Sequence, residues 1–315
     1  MTRGSSFEGK CAKVTVVADS VNPTGERLTT LQLEYPRFIH SEFMTHRVFS
    51  RNASSSRAIP VHKLVNEVRN HPAHPIHWGG NKPGMQADEE RTSLVEIPEH
   101  LVAAYETFVA SRQKPSVLLA MNTLRQIGRE AAWQFSAWLS AELSHAFSAA
   151  GYHKQIANRL TEPYQRMRVI CSSTEWVNFF RLRNHPSAQP EIQDLAGTMA
   201  TAMACSTPAK LAWGQWHLPY VDEGDLHLTI EDRIRVSTAR CARVSYLNHD
   251  AKRPTVEEDI TLHDRLIVAR PPHASPAEHQ AKAAVGAFAN FKGWASYRWH
   301  FENNEDKPSG QQLLL

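Results

Sequence analysis

A chain of 315 residues, 42% of them hydrophobic, can bury a sizeable core as one large domain or two intimate ones. A net charge of +3 is too mild to argue for DNA, RNA or membrane binding by bulk electrostatics, and it is compatible with a small anionic ligand. Cys11, Cys171, Cys205 and Cys241 form no C-x-x-C pair, the N-terminus has no apolar h-region, and no apolar run reaches membrane-spanning length; a soluble, cytoplasmic protein without a disulfide framework is the expectation.

In chain order, "AKVTVVADS" (12–20) and "RLTTLQLEYP" (27–36) read as strands with period-2 alternation. "RFIHSEFMTHRVF" (37–49) reads as a helix leading into a polar loop. "HPAHPIHWGGNKPGMQ" (71–86) is rich in Pro and Gly and must be irregular. From Ile97 to about Asn158 the pattern is helical, with "AAWQFSAWLSAELSHAFSAAGYH" its clearest piece; "STEWVNFFRLR" and "AQPEIQDLAGTMATAMAC" read as two more helices. A second α/β-like set follows: "RIRVSTARCARVSY", a helix near "EEDITLHDRLIVAR", and then 271–299. The tail "NNEDKPSG" reads as mobile. There is no GxGxxG and no P-loop.

The loop "FMTHRVFSRNASSSRAIP" (43–60) is dense in donors suited to phosphate and flat heterocycles. Guanidinium forks and hydroxyls converge well on one anion. The loop is either a ligand-gripping segment or a solvated basic one. His71, His74 and His77 are interrupted by prolines and lack a neighbouring acidic or Cys ligand, so no metal site is expected. "WGGNKPGMQ" suits a turn-rich cover over a pocket or a phosphate-binding backbone loop. The Trp and Phe residues of the 130s and 140s are at helical core spacing.

His46-Arg47, seven residues, then Ser55 resembles the Arg-His-Arg-x7-Ser signature of flavin-dependent thymidylate synthases (ThyX), with Thr45 in place of the first arginine. "STEWVNFFRLRNHPSAQPEI" (173–192) is similar to that family's later motif through Asn178, Phe179, Leu182, Arg183, Ala188, Gln189, Glu191 and Ile192. "HKQIANRLTEPY" (153–164) resembles its basic segment. "STARCARVSY" (237–246) and "HASPAEH" (273–279) look like segments that precede the arginine motif in the family, yet here they are C-terminal. "FKGWASYRW" then resembles a second, degraded copy of the strand and helix leading into that motif, which suggests a permuted or partly duplicated member. Arg298, nineteen residues after His279, either supplies the charge that Thr45 lacks or is a surface residue.

The resemblance implies an α/β (α+β) fold with an antiparallel-rich sheet and a long-helix bundle. Residues 1–210 would form the core and 211–315 a segment packed into the same unit. It implies bound FAD, a pyrimidine deoxynucleotide substrate, methylenetetrahydrofolate and NADPH as co-substrates, and sites between subunits of a tetramer or dimer. Carried over by position, Arg183 would sit against the pyrimidine and raise electron density at C5. Ser55, Arg57 and Arg159 would contact the nucleotide. His46, Arg47 and Asn178 would contact FAD, and Ser275, Glu278 and His279 would line the flavin and folate region, with Arg298 beside them. Thr45, Ala53, Ser172, Thr174 and Ser187 depart from the family pattern around flavin and base. Besides methylation of dUMP, the departures leave open one-carbon transfer to another pyrimidine such as dCMP, delivery of a hydroxymethyl group, and a non-catalytic nucleotide-binding protein. Classical nucleophilic-cysteine chemistry is not expected, since neither "VICSST" nor "TARCAR" has the required Pro-Cys-His setting.

Overall fold

The computed structural model describes residues 5–84, 86–87, 89–112, 125–244, 254–269 and 272–303. The expectation for the tail from residue 304 lies outside them. The fold is mixed α/β with antiparallel sheets, as the sequence suggested. The principal sheet has the order β1 (Ser6–Glu8), β2 (Lys13–Val21), β3 (Arg27–Pro36), β7 (Arg166–Ser173), β4 (Ser50–Ala53), and β8 (Ala209–Lys210) pairs parallel with β2. β2 and β3 are joined by a short turn and pair Val14 with Leu33 and Val21 with Arg27, with a register shift between Val16 and Ala18. β7 is an internal strand, pairing Leu31 with Cys171 on one side and Ser50 with Ser172 on the other.

Alternation along these strands gives the sheet two unlike faces. Leu31, Leu33, Tyr35, Val169 and Cys171 point to one core, where they meet Ile192, Leu195 and Met199 of α7 (Pro190–Ala204). Pro190 opens that helix at a position where its missing N–H costs nothing. Asp194 of α7 accepts from the amides of Lys10, Cys11 and Ala12 at 2.8, 2.8 and 3.0 Å, fixing the approach to β2. The other face carries Thr30, Gln32 and Ser172, and the C-terminal segment covers it. His217 of β9 (Trp216–His217) bonds Thr30 and Ser20, Tyr220 donates to Gln32, and His279 bonds Ser172. β9, β10 (Ala281–Phe288) and β11 (Phe291–Ser296) form a second antiparallel sheet. Leu28 of β3 packs with its Ala281, Phe291 and Trp294.

A helical layer lies beside the main sheet. α2 (Val61–Asn70) packs Val61, Val65 and Val68 on Ala137 and Ala141 of the long α4 (Arg129–Ala149). Tyr105 and Phe108 of α3 (Val102–Ser111) meet Phe135 of the same helix. β5 (Val95–Glu96) and β6 (Gln126–Ile127) form a small ribbon at its end. α5 (Lys154–Ala157) and a 3-10 helix (Asn158–Tyr164) return the chain to β7.

Three local expectations need correction, and one strand goes unassigned. The helix expected over 37–49 is a 3-10 turn (Arg37–Ile39) followed by α1 (His40–Met44). It ends because Phe49 must turn inward against Phe43, Trp176 and Phe179. "RMRVICSS", unassigned from sequence, is β7, between β3 and β4. "RIRVSTARCAR" belongs to one helix, α8 (Ile230–Arg243), capped by Thr229, and Arg240 and Arg243 bind the buried Asp259 of α9 (Val256–Val268). The described residues of the 71–86 segment, 71–84 and 86, are irregular, but they do not line the cleft described below. They pack on α4, with Trp78 against Trp133, and the carboxylate of buried Glu191 accepts the amide of Ile76.

Candidate active site

The turn from α1 to β4, the turn from β7 to α6 (Val177–Arg183) and the C-terminal hairpin β10–β11 enclose a cleft of about 750 Å³. Its walls are residues 45–49 and 174–179 with Glu26, Arg181 and Lys292. Buried aromatic rings form its base. Phe49 lies 4.7 Å from Trp176 and 5.3 Å from Phe179, and His46 meets Phe179 edge-on at 4.9 Å. Arg47, Arg181 and Lys292 share this lining with Glu26 and Glu175, and Lys292 pairs with Glu175. A mostly apolar concavity with a few charged groups is the usual form of a small-molecule site.

His46 and Arg183 act as a unit. Arg183 Nε donates to His46 Nε2 at 3.0 Å, another of its nitrogens pairs with Glu42, and Nη2 reaches Thr45 Oγ1 at 3.5 Å. His46 is held below its ordinary 6.5 by burial first, then by Arg183 and Arg51. Its Nε2 therefore accepts as neutral imidazole, which places its proton on Nδ1. The guanidinium beside Thr45 thus belongs to Arg183, and Arg298 is held elsewhere by Glu278 and Glu302.

Many donors of the 43–60 loop are committed to the fold. Arg51 Nη1 donates to the carbonyls of Phe43 and His46 at 3.0 and 2.9 Å, and its guanidinium lies over the Phe43 ring. Asn52 Nδ2 donates to Cys241 O, Ser54 Oγ accepts the amide of Arg168, and Ser56 Oγ donates to Glu162. Arg47 and Arg57 are exposed.

The residues singled out from sequence fall into three groups. His46, Arg47 and Asn178 line the cleft, with Arg183 directly behind His46 and Thr45. Ser55 and Arg57 follow β4 at its other end; there Ser55 Oγ accepts the amide of Arg57, and Asn158, next to exposed Arg159, donates to Ser56 O and Ile59 O. Ser275 and Glu278 lie in a 3-10 turn against β4, Ser275 Oγ being 3.4 Å from Asn52 Oδ1. His279 is fully buried, and burial pushes it down to about 3. Sequence reasoning missed Glu42, Trp176, Arg181 and Lys292. Trp176 and Arg181 sit inside the quoted "STEWVNFFRLR", whereas nothing local marks Lys292.

Among the described residues no group of three or more His, Cys, Asp or Glu could hold a metal ion, and no helix is long and apolar enough to cross a membrane. A family model, Thy1, described as thymidylate synthase complementing protein, matches residues 27–209, more than half of the chain.

The chain belongs to the Thy1 family.

The Thy1 match runs from the start of β3 to β8, so it holds the cleft's two turns, whereas Ser275, Glu278, His279, Lys292 and Arg298 lie beyond it. Among solved structures, a UMP/dUMP methylase, PolB, from Streptomyces cacaoi bound with 5-Br dUMP is 16% identical, aligned over 56% of this chain and 67% of its own, with a TM-score of 0.35. A thymidylate synthase X (ThyX) from Helicobacter pylori with FAD and dUMP is 17% identical over 56% of this chain and 67% of its own, with a TM-score of 0.31. No curated protein matches the chain.

Proposed function

We propose that this Thy1 member is a cytoplasmic flavin-dependent thymidylate synthase that methylates dUMP at C5, taking the carbon from methylenetetrahydrofolate and the reducing equivalents from NADPH. One observation carries the reading: His46 and Arg47 of the arginine motif and Asn178 of the later motif, far apart in sequence, line one aromatic-based cleft within the Thy1 match.

The donor set suits FAD. The rings of Phe49, Trp176 and Phe179 offer apolar contact to a flat heterocycle, and Arg47 and Arg181 offer forks for phosphate oxygens. His46, Arg47 and Asn178 would hold the cofactor, which supplies redox equivalents when bound. Arg183 is the residue proposed to act on the base. A guanidinium beside the pyrimidine favours loss of the N3 proton and so enriches C5. Glu42 and neutral His46 keep that guanidinium aimed in one direction. A cysteine nucleophile is disfavoured, because burial pushes the thiols of Cys11, Cys171 and Cys241 far up. Ser55, Arg57 and Arg159 would grip nucleotide phosphate, and their place beyond the far end of β4 fits a site completed between subunits of a dimer or tetramer.

The test is the absorbance spectrum of purified protein reconstituted with FAD, then bleaching by NADPH and dTMP formation from dUMP and folate donor. A protein that takes up no FAD refutes the proposal. Thr45 and Thr174 in the cleft wall support a second reading, in which another pyrimidine such as dCMP is the substrate or a hydroxymethyl group is transferred. A site built around one base's polar groups rejects another by leaving groups unpaired. Product masses from each nucleotide separately decide, and turnover of dUMP alone dismisses it.

A further inference from the structure

Lys292 is the only residue of the C-terminal hairpin in the described lining of the cleft, and it lies outside the Thy1 match. Three contacts put it there. Its own amide donates to Thr174 Oγ1 at 3.2 Å, Asn22 Nδ2 donates to Gly293 O at 3.0 Å, and Trp294 Nε1 donates to Glu26 O at 3.0 Å. Gly293 has φ +72, and a Cβ there would come within 2.3 Å of Asn22 Nδ2. Only glycine lets the hairpin approach the β2–β3 turn so closely. The backbone is therefore held at Lys292 and at the two residues that follow it, while its side chain reaches into the cleft mouth.

That side chain pairs with Glu175 across the mouth, and the two side chains are 61% and 41% exposed. An exposed, solvent-screened pair of this kind contributes little, so a stronger anion displaces Glu175 at small cost. Arg47 and Arg181 stand in the same lining, with Glu26 as the remaining carboxylate, so an anion that displaces Glu175 meets three cations above an aromatic base.

We infer that Lys292 is a phosphate-recognising residue of this cleft, exchanging Glu175 for a phosphate group on the flat heterocyclic ligand and so setting the preference for phosphorylated over dephosphorylated ligands. The identity of the ligand rests on the flavin and nucleotide reading above. The phosphate belongs either to the diphosphate of FAD or to the monophosphate of dUMP, and the arms of the experiment separate them.

Dissociation constants are measured at low salt for FAD against riboflavin, for dUMP against deoxyuridine, and for inorganic pyrophosphate, in the full chain and in Lys292→Met, Lys292→Arg and Glu175→Gln. Lys292→Met weakens the phosphorylated member of one pair about tenfold, as expected for one charge-assisted hydrogen bond at a half-open site, and leaves its dephosphorylated partner unchanged. Lys292→Arg restores most of the loss, and Glu175→Gln tightens phosphate binding a few-fold by removing the competing carboxylate. The FAD pair responding places the diphosphate at Lys292; the dUMP pair responding places the nucleotide there. The exposed Lys292 side chain can be exchanged without disturbing packing, and near-UV circular dichroism checks this. Equal affinities of wild type and Lys292→Met for every phosphorylated probe overturn the inference, as does an equal loss for both members of a pair. Lys292-dependent pyrophosphate binding without FAD or dUMP binding keeps the inference and removes the flavin reading, while FAD binding indifferent to Lys292 does the reverse.

Discussion

Acid should unfold this protein through two buried histidines. Ser20, His217, Thr30, Ser172 and His279 form a hydrogen-bonded chain between the main sheet and its C-terminal cover, all at most 5% exposed. Burial pushes His217 down from 6.5 to about 3, partly opposed by Asp19; burial pushes His279 to about 3 as well, aided by His217. Both are neutral when folded and take up a proton when unfolded below pH 6.5. The unfolded state then binds more protons, so stability is intact above pH 6.5 and falls as pH drops towards 3. Each histidine contributes a slope of about 1.4 kcal/mol per pH unit, and the pair together costs about 4 kcal/mol at pH 5. That is a large part of the roughly 5–15 kcal/mol holding an ordinary domain together. The assay is urea unfolding of the FAD-free protein at fixed concentration between pH 4.5 and 7.5. His279→Gln and His217→Gln each keep a polar group but lose the basic nitrogen. Each variant should lower the slope below pH 6 by about 1.4 kcal/mol per pH unit, whatever its offset in absolute stability. Unchanged slopes in both would refute the assignment of the acid transition to this chain.

Asp194→Ala strips three backbone amides of their acceptor and should cost about 3 kcal/mol, read as a lower Tm and faster hydrogen exchange at Lys10, Cys11 and Ala12. Gly293→Ala forces a side chain into Asn22 at positive φ; it should cost about 2 kcal/mol or more, and a thermal melt matching wild type would contradict the close approach. Arg51→Met leaves the Phe43 and His46 carbonyls without that donor and should cost about 1–3 kcal/mol, with weaker FAD binding by fluorescence titration because the 45–49 wall loses its brace.

What the sequence made readable was what local chemistry decides. β2 and β3 followed from their period-2 alternation, and α7 and α9 were read as helices from their local sequence. β7 escaped because Arg166 and Arg168 interrupt its apolar positions. Only the folded chain reveals that Arg166 donates to Cys11 O and that Arg168 pairs with Glu34 and Glu67. α1 was read too long because helix propensity is local, whereas the burial of Phe49 against Trp176 is set by residues over a hundred positions away. His46, Arg47 and Asn178 were found through motifs, and the structure puts them on one cleft. Arg51 lies in the same donor-rich loop, but its carbonyl partners, Phe43 and His46, show it bracing a turn. Lys292 carries no signature, since it enters the site only through the hairpin register that pairs Ala287 with Lys292 and Phe288 with Phe291.

The hairpin that brings Lys292 into place leaves the ribosome long after the β2–β3 turn it grips, Gly293 being 271 residues beyond Asn22. Domains begin to form while synthesis continues, so a nascent chain that has passed β8 holds every residue of the Thy1 match but an unfinished pocket mouth and an uncovered polar sheet face. A transcript truncated before residue 290 would thus yield a sheet-containing polypeptide lacking one wall of its cleft, and competence to bind would wait for the hairpin to be made.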